Sequence, residues 1–263
     1  MGFILSTAAS CSLVANDRLH ILETDAPDYA PGLVASGRLP RLSVATTLTP
    51  ASGSPVLQII GVHSRPGHGD VPASRVLAAK AITPGRLPAG ETSFCPNRQG
   101  IALAWITLSD KGSQGLRVDA AGPAIAETCS ASLSISLAKG HILPDEPAQL
   151  KALLVDLALT QGFDLIVTTG GTGLSPRDTT PEATLAVIEK RLPGFETAML
   201  LASLAKTHHA MLSRAVAGTL GQAIIVNVPG SPKAVRETLA ALMPAIPHGL
   251  DKLRGDPGDC AQA

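Results

Sequence analysis

The chain is predicted to hold an α/β domain with a mainly parallel sheet over residues 99–263, preceded by a small β-rich domain over residues 1–98. Three observations lead there. A length of 263 residues exceeds the roughly 100–150 residues of a typical single domain. From Ile101 onward, apolar runs rich in β-branched residues alternate with helical patterns, as strands and crossover helices do. Between Asp25 and Asn97, by contrast, Pro and Gly punctuate short apolar runs such as Leu42–Ala45 and Val56–Ile60. The change of character falls in the segment from Phe94 to Gly100.

Each element of the α/β domain has its own signal. Ile101–Leu108 is an apolar run that ends at Ser109-Asp110, so it reads as a buried strand with a loop at its exit. Asp119 to Thr128 reads as a short helix with Pro123 in its first turns. Leu133, Ile135 and Leu137 alternate with Ser132, Ser134 and Ser136, a period of two that marks a strand with one wetter face. Asp145 can cap the next helix, with Pro147 in its first turn and Leu150, Leu153, Leu154 and Leu157 on one face. Gln161-Gly162 stops that helix, and Phe163–Thr169 is the next strand. Thr179 or Thr180 caps a helix that starts near Pro181-Glu182. Ala223–Val228 repeats the layout: a strand, an exit at Pro229-Gly230, then a helix capped by Ser231-Pro232 that aligns Val235, Leu239 and Leu242.

Composition narrows the function classes. Apolar residues make up 45% and charged residues 16% of the chain, which supplies a core and argues against disorder. Lys plus Arg and Asp plus Glu each number 21, so the chain lacks the basic footprint of a nucleic-acid binder. Cys11, Cys95, Cys129 and Cys260 form no C-x-x-C pair, which points to a reducing cytoplasm and away from a zinc knuckle. No apolar stretch reaches the ~20 residues of a membrane span, and the first fifteen residues lack the positive start of a secretory signal. The loop from His63 to Asp70 carries two His and one Asp without a strong ligand spacing. Trp105 lies in an apolar strand and reads as core, and His208 and His209 read as surface.

Ligands of open α/β sheets sit beyond the carboxyl ends of the strands. One such exit runs Thr168-Thr-Gly-Gly-Thr-Gly-Leu-Ser-Pro-Arg-Asp178. Glycines let backbone amides approach an anion, the hydroxyls add donors, Arg177 can offset phosphate charge and Asp178 can hold Mg²⁺. Alone, the loop fits a plain strand-to-helix turn as well as a phosphate site, since it departs from both the Walker A and the G-x-G-x-x-G spacings. Asp110, Asp119, Asp145 and Asp178 all fall near strand-to-helix transitions, where two carboxylates can hold Mg²⁺ on one ATP or each can cap a helix.

Taken together these segments resemble the molybdopterin adenylyltransferases, the molybdopterin-binding domains of molybdenum cofactor biosynthesis. The resemblance spans nearly all of Ile101–Leu253. It rests on Ile106–Lys111, Asp119–Pro123, Leu143–Glu146, Thr168–Thr184, Ala210–Arg214 and Ile225–Lys233 in that order. It implies a three-layer α/β fold, a homotrimer, and adenylylation of molybdopterin by ATP with Mg²⁺ and release of pyrophosphate. Asp145 and Asp178 match the family's catalytic and metal-holding acids, and Gly170, Gly171, Thr172 and Gly173 its glycine-rich loop. Ser109 and Asp110 would border the nucleotide, while Ser213, Asn227, Pro229, Gly230 and Ser231 would line the pterin and phosphate side. His208 and Thr179 depart from the family pattern.

The same fold also serves molybdate or tungstate insertion into adenylylated molybdopterin, and a pterin carrier without chemistry is a third reading. Other proteins of the pathway are further candidate partners. Before Asn97, Ala73–Leu77 with Thr83-Pro-Gly85 is similar to the end of the molybdenum cofactor sulfurase C-terminal domain, but without its cysteine, and suggests a degenerate β-barrel module of unassigned role.

Overall fold

A computed structural model of the chain describes residues 2–23, 32–51, 56–67 and 73–256. Contacts divide it into two compact units, Met1–Gln99 and Gly100–Ala263.

The first unit is a barrel. Its strands are β1 (Phe3–Thr7), β2 (Cys11–Leu13), β3 (Arg18–Leu22), β4 (Gly32–Ala35), β5 (Thr47–Pro50), β6 (Leu57–Arg65), β7 (Ser74–Ala81), β8 (Gly85–Leu87) and β9 (Gly90–Asn97). Seven of them close in the order β1-β4-β3-β7-β6-β5-β9, with β1 antiparallel to β9 at the seam, and β2 pairs with β8. Closure leaves no open edge. Leu5, Ile21, Leu48, Leu57, Ile59, Leu77 and Phe94 fill the interior. The apolar run Leu42–Ala45 is no strand but a buried bend in which Ala45 takes φ 67°. Arginines make that bend tolerable: Arg75 donates to the Leu42 carbonyl and Arg98 to the Val44 carbonyl, so the buried acceptors need no strand partner. His68 and Asp70 of the histidine-bearing loop lie outside the described residues.

The second unit is built on a six-stranded sheet. Its elements are β10 (Ile101–Leu108), α1 (Asp110–Ser113), α2 (Ala121–Ser132), β11 (Ile135–Leu143), α3 (Pro147–Val155), β12 (Leu165–Thr169), α4 (Thr180–Leu185), β13 (Lys190–Arg191), α5 (Pro193–Leu204), β14 (Ala217–Leu220), β15 (Ala223–Val228), α6 (Pro232–Ala240) and α7 (Ile246–Leu253). The sheet order is β11-β10-β12-β15-β14-β13. The first four strands are parallel, and β14 and β13 join antiparallel. The sheet is therefore mainly parallel, as expected, and β10, β12 and β15 are nearly all buried, as covered parallel strands must be.

Three local expectations gave way to tertiary packing. α2 runs to Ser132 rather than stopping at Thr128, because Ala124, Ile125 and Cys129 bury one helical face in the core. The serine alternation that suggested a strand at 132–137 is half helix end, and β11 begins only at Ile135. Asp145 does not cap α3. The cap position is Glu146, with no side-chain bond, and the Asp145 carboxylate is engaged elsewhere. After α3 the chain continues as a π-helical turn, Asp156–Gln161, that ends at Gly162 with φ 75°, a left-handed conformation that glycine adopts freely. Trp105 is partly buried and packs against the core, lying against Gly122 and Gly140, where a Cβ on either glycine would collide with the indole. Among the described residues no helix is long and apolar enough to cross a membrane.

Candidate functional site

The exits of β10, β12 and β15 lie side by side, because those strands are hydrogen-bonded neighbours in register. β12 ends at Thr169 and the chain turns through Gly170 (φ 97°) and Gly171 (φ 63°). The space at these turns is filled: a Cβ on Gly170 would lie 2.5 Å from the Leu108 carbonyl oxygen, and one on Gly171 would meet the Thr180 hydroxyl. That hydroxyl donates to the Gly170 carbonyl (2.9 Å), while the Thr169 hydroxyl donates to the Pro229 carbonyl (2.8 Å). The loop is thus pinned to the start of α4 and to the exit of β15.

Acidic residues gather at the rim of this turn. Asp110 opens α1, where Ser109 is the N-cap and accepts from the Gly112 amide (3.0 Å). The Asp110 amide donates to Asp145 Oδ2 (3.1 Å), and the Asp145 amide donates back to Asp110 Oδ1 (3.0 Å). Asp145 Oδ1 is left beside Gly171, 3.7 Å from where a Cβ would stand. Asp178 approaches the same turn further along: its carboxylate accepts from the Ser175 amide (2.8 Å), and its Oδ2 lies 2.8 Å from the missing Cβ of Gly173. Arg177 reaches across to both oxygens of Asp110 (2.8 and 2.9 Å) and to Glu146 (2.9 Å).

The charges act unequally on the two linked aspartates. The hydrogen bond from the Asp145 amide, followed by Arg177, holds the Asp110 carboxyl below the usual carboxylate range. Asp145 is pushed the other way, chiefly by burial, with the charges of Asp110 and Asp178 adding to the rise. A cation beside Asp145 would offset the cost of its charge there.

Three cavities flank the loop. The largest, about 550 Å³, is bounded by Ser109, Gly170, Gly230 and Ser231 together with Arg117 and Asp119. A second of about 440 Å³ is bounded by Ser213, Arg214 and Pro229, and a third of about 260 Å³ by Thr172, Gly173, Ser213 and Pro229. Asp110, Asp145 and Asp178 line none of the three; they sit at the rim. Asn227 also lies away from them. It is fully buried, its amide donating to the Thr168 and Thr184 hydroxyls (2.8 and 2.9 Å). It ties β15 to β12 and α4 beneath the loop instead of lining the pterin side, where the sequence had put it. Ser231 accepts from the Ala234 amide as the cap of α6. Asp119 is also a cap: it accepts from the Ala121 and Gly122 amides and from the Thr107 hydroxyl. His208 and His209 are exposed.

Sequence reasoning gave Arg214 no role. Its amide donates to the Thr172 carbonyl, its Nε to the Gly173 carbonyl and its Nη2 to the Asp178 carbonyl, and it pairs with Glu182. One guanidinium thereby fixes both ends of the loop segment that carries Asp178. Its place in the Ala210–Arg214 segment was the available signal, but the partners that reveal its task lie 32 to 41 residues away in the chain.

A family model described as a probable molybdopterin-binding domain matches residues 104–248, more than half of the chain. The chain belongs to that family. None of the matched residues lies in the barrel. Among relatives of this molybdopterin-binding domain, a molybdopterin adenylyltransferase of Helicobacter pylori is 41% identical over 159 residues, which are 60% of this chain and 90% of that protein. Gephyrin of Dictyostelium discoideum is 40% identical over 164 residues, but the chain spans only 22% of its length. Among solved structures, the molybdopterin biosynthesis enzyme MoaB of Thermus thermophilus is 43% identical, with a TM-score of 0.56 over 60% of this chain and 99% of that one. The Mog protein of Mycobacterium ulcerans is 37% identical with the same TM-score and coverage.

Proposed function

We propose that the C-terminal unit transfers an adenylyl group from ATP to the terminal phosphate of molybdopterin. A phosphate oxygen of the pterin forms a bond to the α-phosphorus, the bond from that phosphorus to the bridging oxygen breaks, and pyrophosphate leaves with the electron pair. The attacking group is already ionised, so the site needs positioning and charge compensation more than a general base. The observation that carries the reading is the approach of Asp145 and Asp178 to one glycine turn, from two separate loops. The likeness to proteins named molybdopterin adenylyltransferase supports it.

The donor set suits Mg²⁺. Asp145 and Asp178 offer hard carboxylate oxygens, and both approach the same glycine turn. Among the described residues no three His, Cys, Asp or Glu side chains converge to hold a metal by themselves. An ion of this kind takes one or two carboxylates and completes its shell with substrate phosphates and water. Bound there, Mg²⁺ would neutralise part of the triphosphate charge. The loop amides at 171–173 bind phosphate oxygens, the caps of α1 and α6 border the nucleotide cleft, and Ser213 and Pro229 face the pterin.

The test is release of pyrophosphate from ATP by the full chain supplied with purified molybdopterin. Asp178→Asn should lower turnover at least about 100-fold while pterin affinity stays within a few-fold. Turnover unchanged by that substitution overturns the assignment. The homotrimer that the resemblance implies is tested by light scattering on the same preparation.

A further inference from the structure

Arg177 stands out among the groups at the rim. It is the residue just before Asp178 in a tight turn, closed by the Asp178 amide on the Ser175 carbonyl and by the Ser175 amide on the Asp178 carboxylate. That turn aims the two side chains apart: Asp178 goes inward to Gly173, and Arg177 goes across the cleft to Asp110 and Glu146. Asp110, Asp145, Glu146 and Asp178 would otherwise repel one another. The guanidinium therefore occupies the place where positive charge is required when no nucleotide is present. Its hold is loose. The Arg177 side chain is 52% exposed, and its partners Asp110 and Glu146 are 43% and 46% exposed, so each pair is held weakly against water.

We infer that Arg177 is an exchangeable counter-ion, which holds the acidic rim while the site is empty and moves from Asp110 and Glu146 to the phosphates when a magnesium-bound triphosphate arrives. The inference rests on the nucleotide reading of this site. The exchange follows from charge and reach. A cation at the rim duplicates the guanidinium's work there, while the triphosphate offers three-oxygen groups that a planar fork binds well. Asp110 is not left adrift by the exchange, because the Asp145 amide keeps its Oδ1 in place. Arg177 is thus a positioning residue in the empty state and a phosphate ligand in the loaded one.

Calorimetry on the full chain tests it with two probes used separately, Mn²⁺ alone and ATP without metal. Arg177→Ala should bind Mn²⁺ about three- to tenfold more tightly than the parent, since a competing charge is gone. It should bind metal-free ATP more weakly by a similar factor, and Arg177→Lys should fall between on both. Adding Asp110→Asn to Arg177→Ala should cancel the gain in Mn²⁺ affinity. Opposite shifts for the two probes are what a merely structural arginine would not produce. Mn²⁺ affinity that stays the same or falls, or absence of Mn²⁺ binding in both proteins, overturns the exchange. If Mn²⁺ tightens as expected but neither protein binds ATP, the counter-ion role stands in the empty state and the adenylyl-transfer reading fails. If the parent turns over and Arg177→Ala alters neither affinity, only the exchange fails.

Discussion

Asp110 and Asp145 each accept the other's backbone amide, at 3.0 and 3.1 Å, although they lie 35 residues apart. This reciprocal pair joins the loop after β10 to the loop after β11 and fixes two carboxylates at the edge of the glycine turn. Its two members are shifted in opposite directions: a donated amide and Arg177 favour the charge on Asp110, whereas burial and like charges disfavour the charge on Asp145. Such a local conflict between stability and ionisation is common where ligands bind.

Asp145→Asn should therefore stabilise the protein and disable it. Asparagine keeps an oxygen to accept the Asp110 amide and removes the disfavoured charge. Because the folded-state pKa of Asp145 is raised, its penalty is present above that pKa and disappears once pH falls below the ordinary carboxylate value. The melting temperature of Asp145→Asn should exceed that of the parent by about 1–3 °C at pH 7, and the two should converge near pH 4. Turnover should fall at least about 100-fold. Paired thermal melts across pH, beside the pyrophosphate assay, check both halves; a variant less stable than the parent at pH 7 contradicts the conflict described.

Two glycines of one loop should fail in different ways. Gly170 has φ 97°, and its Cβ would press on the backbone carbonyl of Leu108, which cannot swing aside. Gly170→Ala should cost more than about 2 kcal/mol of stability. Gly173 has no left-handed backbone, and the atom in its way is the far end of the Asp178 side chain. Gly173→Ala should stay within about 1 kcal/mol of the parent yet lose most of its turnover, because Asp178 is displaced. Urea unfolding and turnover measured on both variants separate strain in the loop from displacement of its acid.

Much of this site could be read from residue order alone, and the reasons differ by element. β10, β12 and β15 announced themselves because strands buried on both faces are continuous apolar runs, and the glycines at the β12 exit marked a turn that no other residue fits. Asp145 misled because Asp-Glu-Pro is a strong local cap signal, and a bond from an amide 35 residues away replaced the cap. Asn227 was set on the pterin side by the family resemblance alone, whereas its partners Thr168 and Thr184 belong to β12 and α4 and make it a buried tie. No element was assigned within 190–220 from residue order: β13 and β14 are short and antiparallel, and α5 is set by what it packs against. The barrel was expected only through the similarity to the sulfurase C-terminal domain, because the pairing that closes it, β1 with β9, spans nearly the whole unit and leaves no local signal.

Acid should weaken the second unit through His141. The residue lies on β11, the edge strand, and its Nε2 is buried with no hydrogen-bond partner among the described residues. Burial holds its pKa below the ordinary 6.5, Lys139 lowers it further and Asp156 offsets part of the shift. A histidine depressed in the folded state stays neutral there while the unfolded chain takes up a proton, so stability is full above the unfolded value and falls as pH drops through it. Between pH 7.5 and pH 5.5 the urea midpoint of the parent should fall, and His141→Phe, which cannot titrate, should show a smaller fall. The comparison uses the difference between the two proteins, so carboxylates common to both drop out. Equal slopes in the two proteins would mean that the imidazole finds a partner when protonated, with Asp156, whose charge already acts on the ring, able to serve.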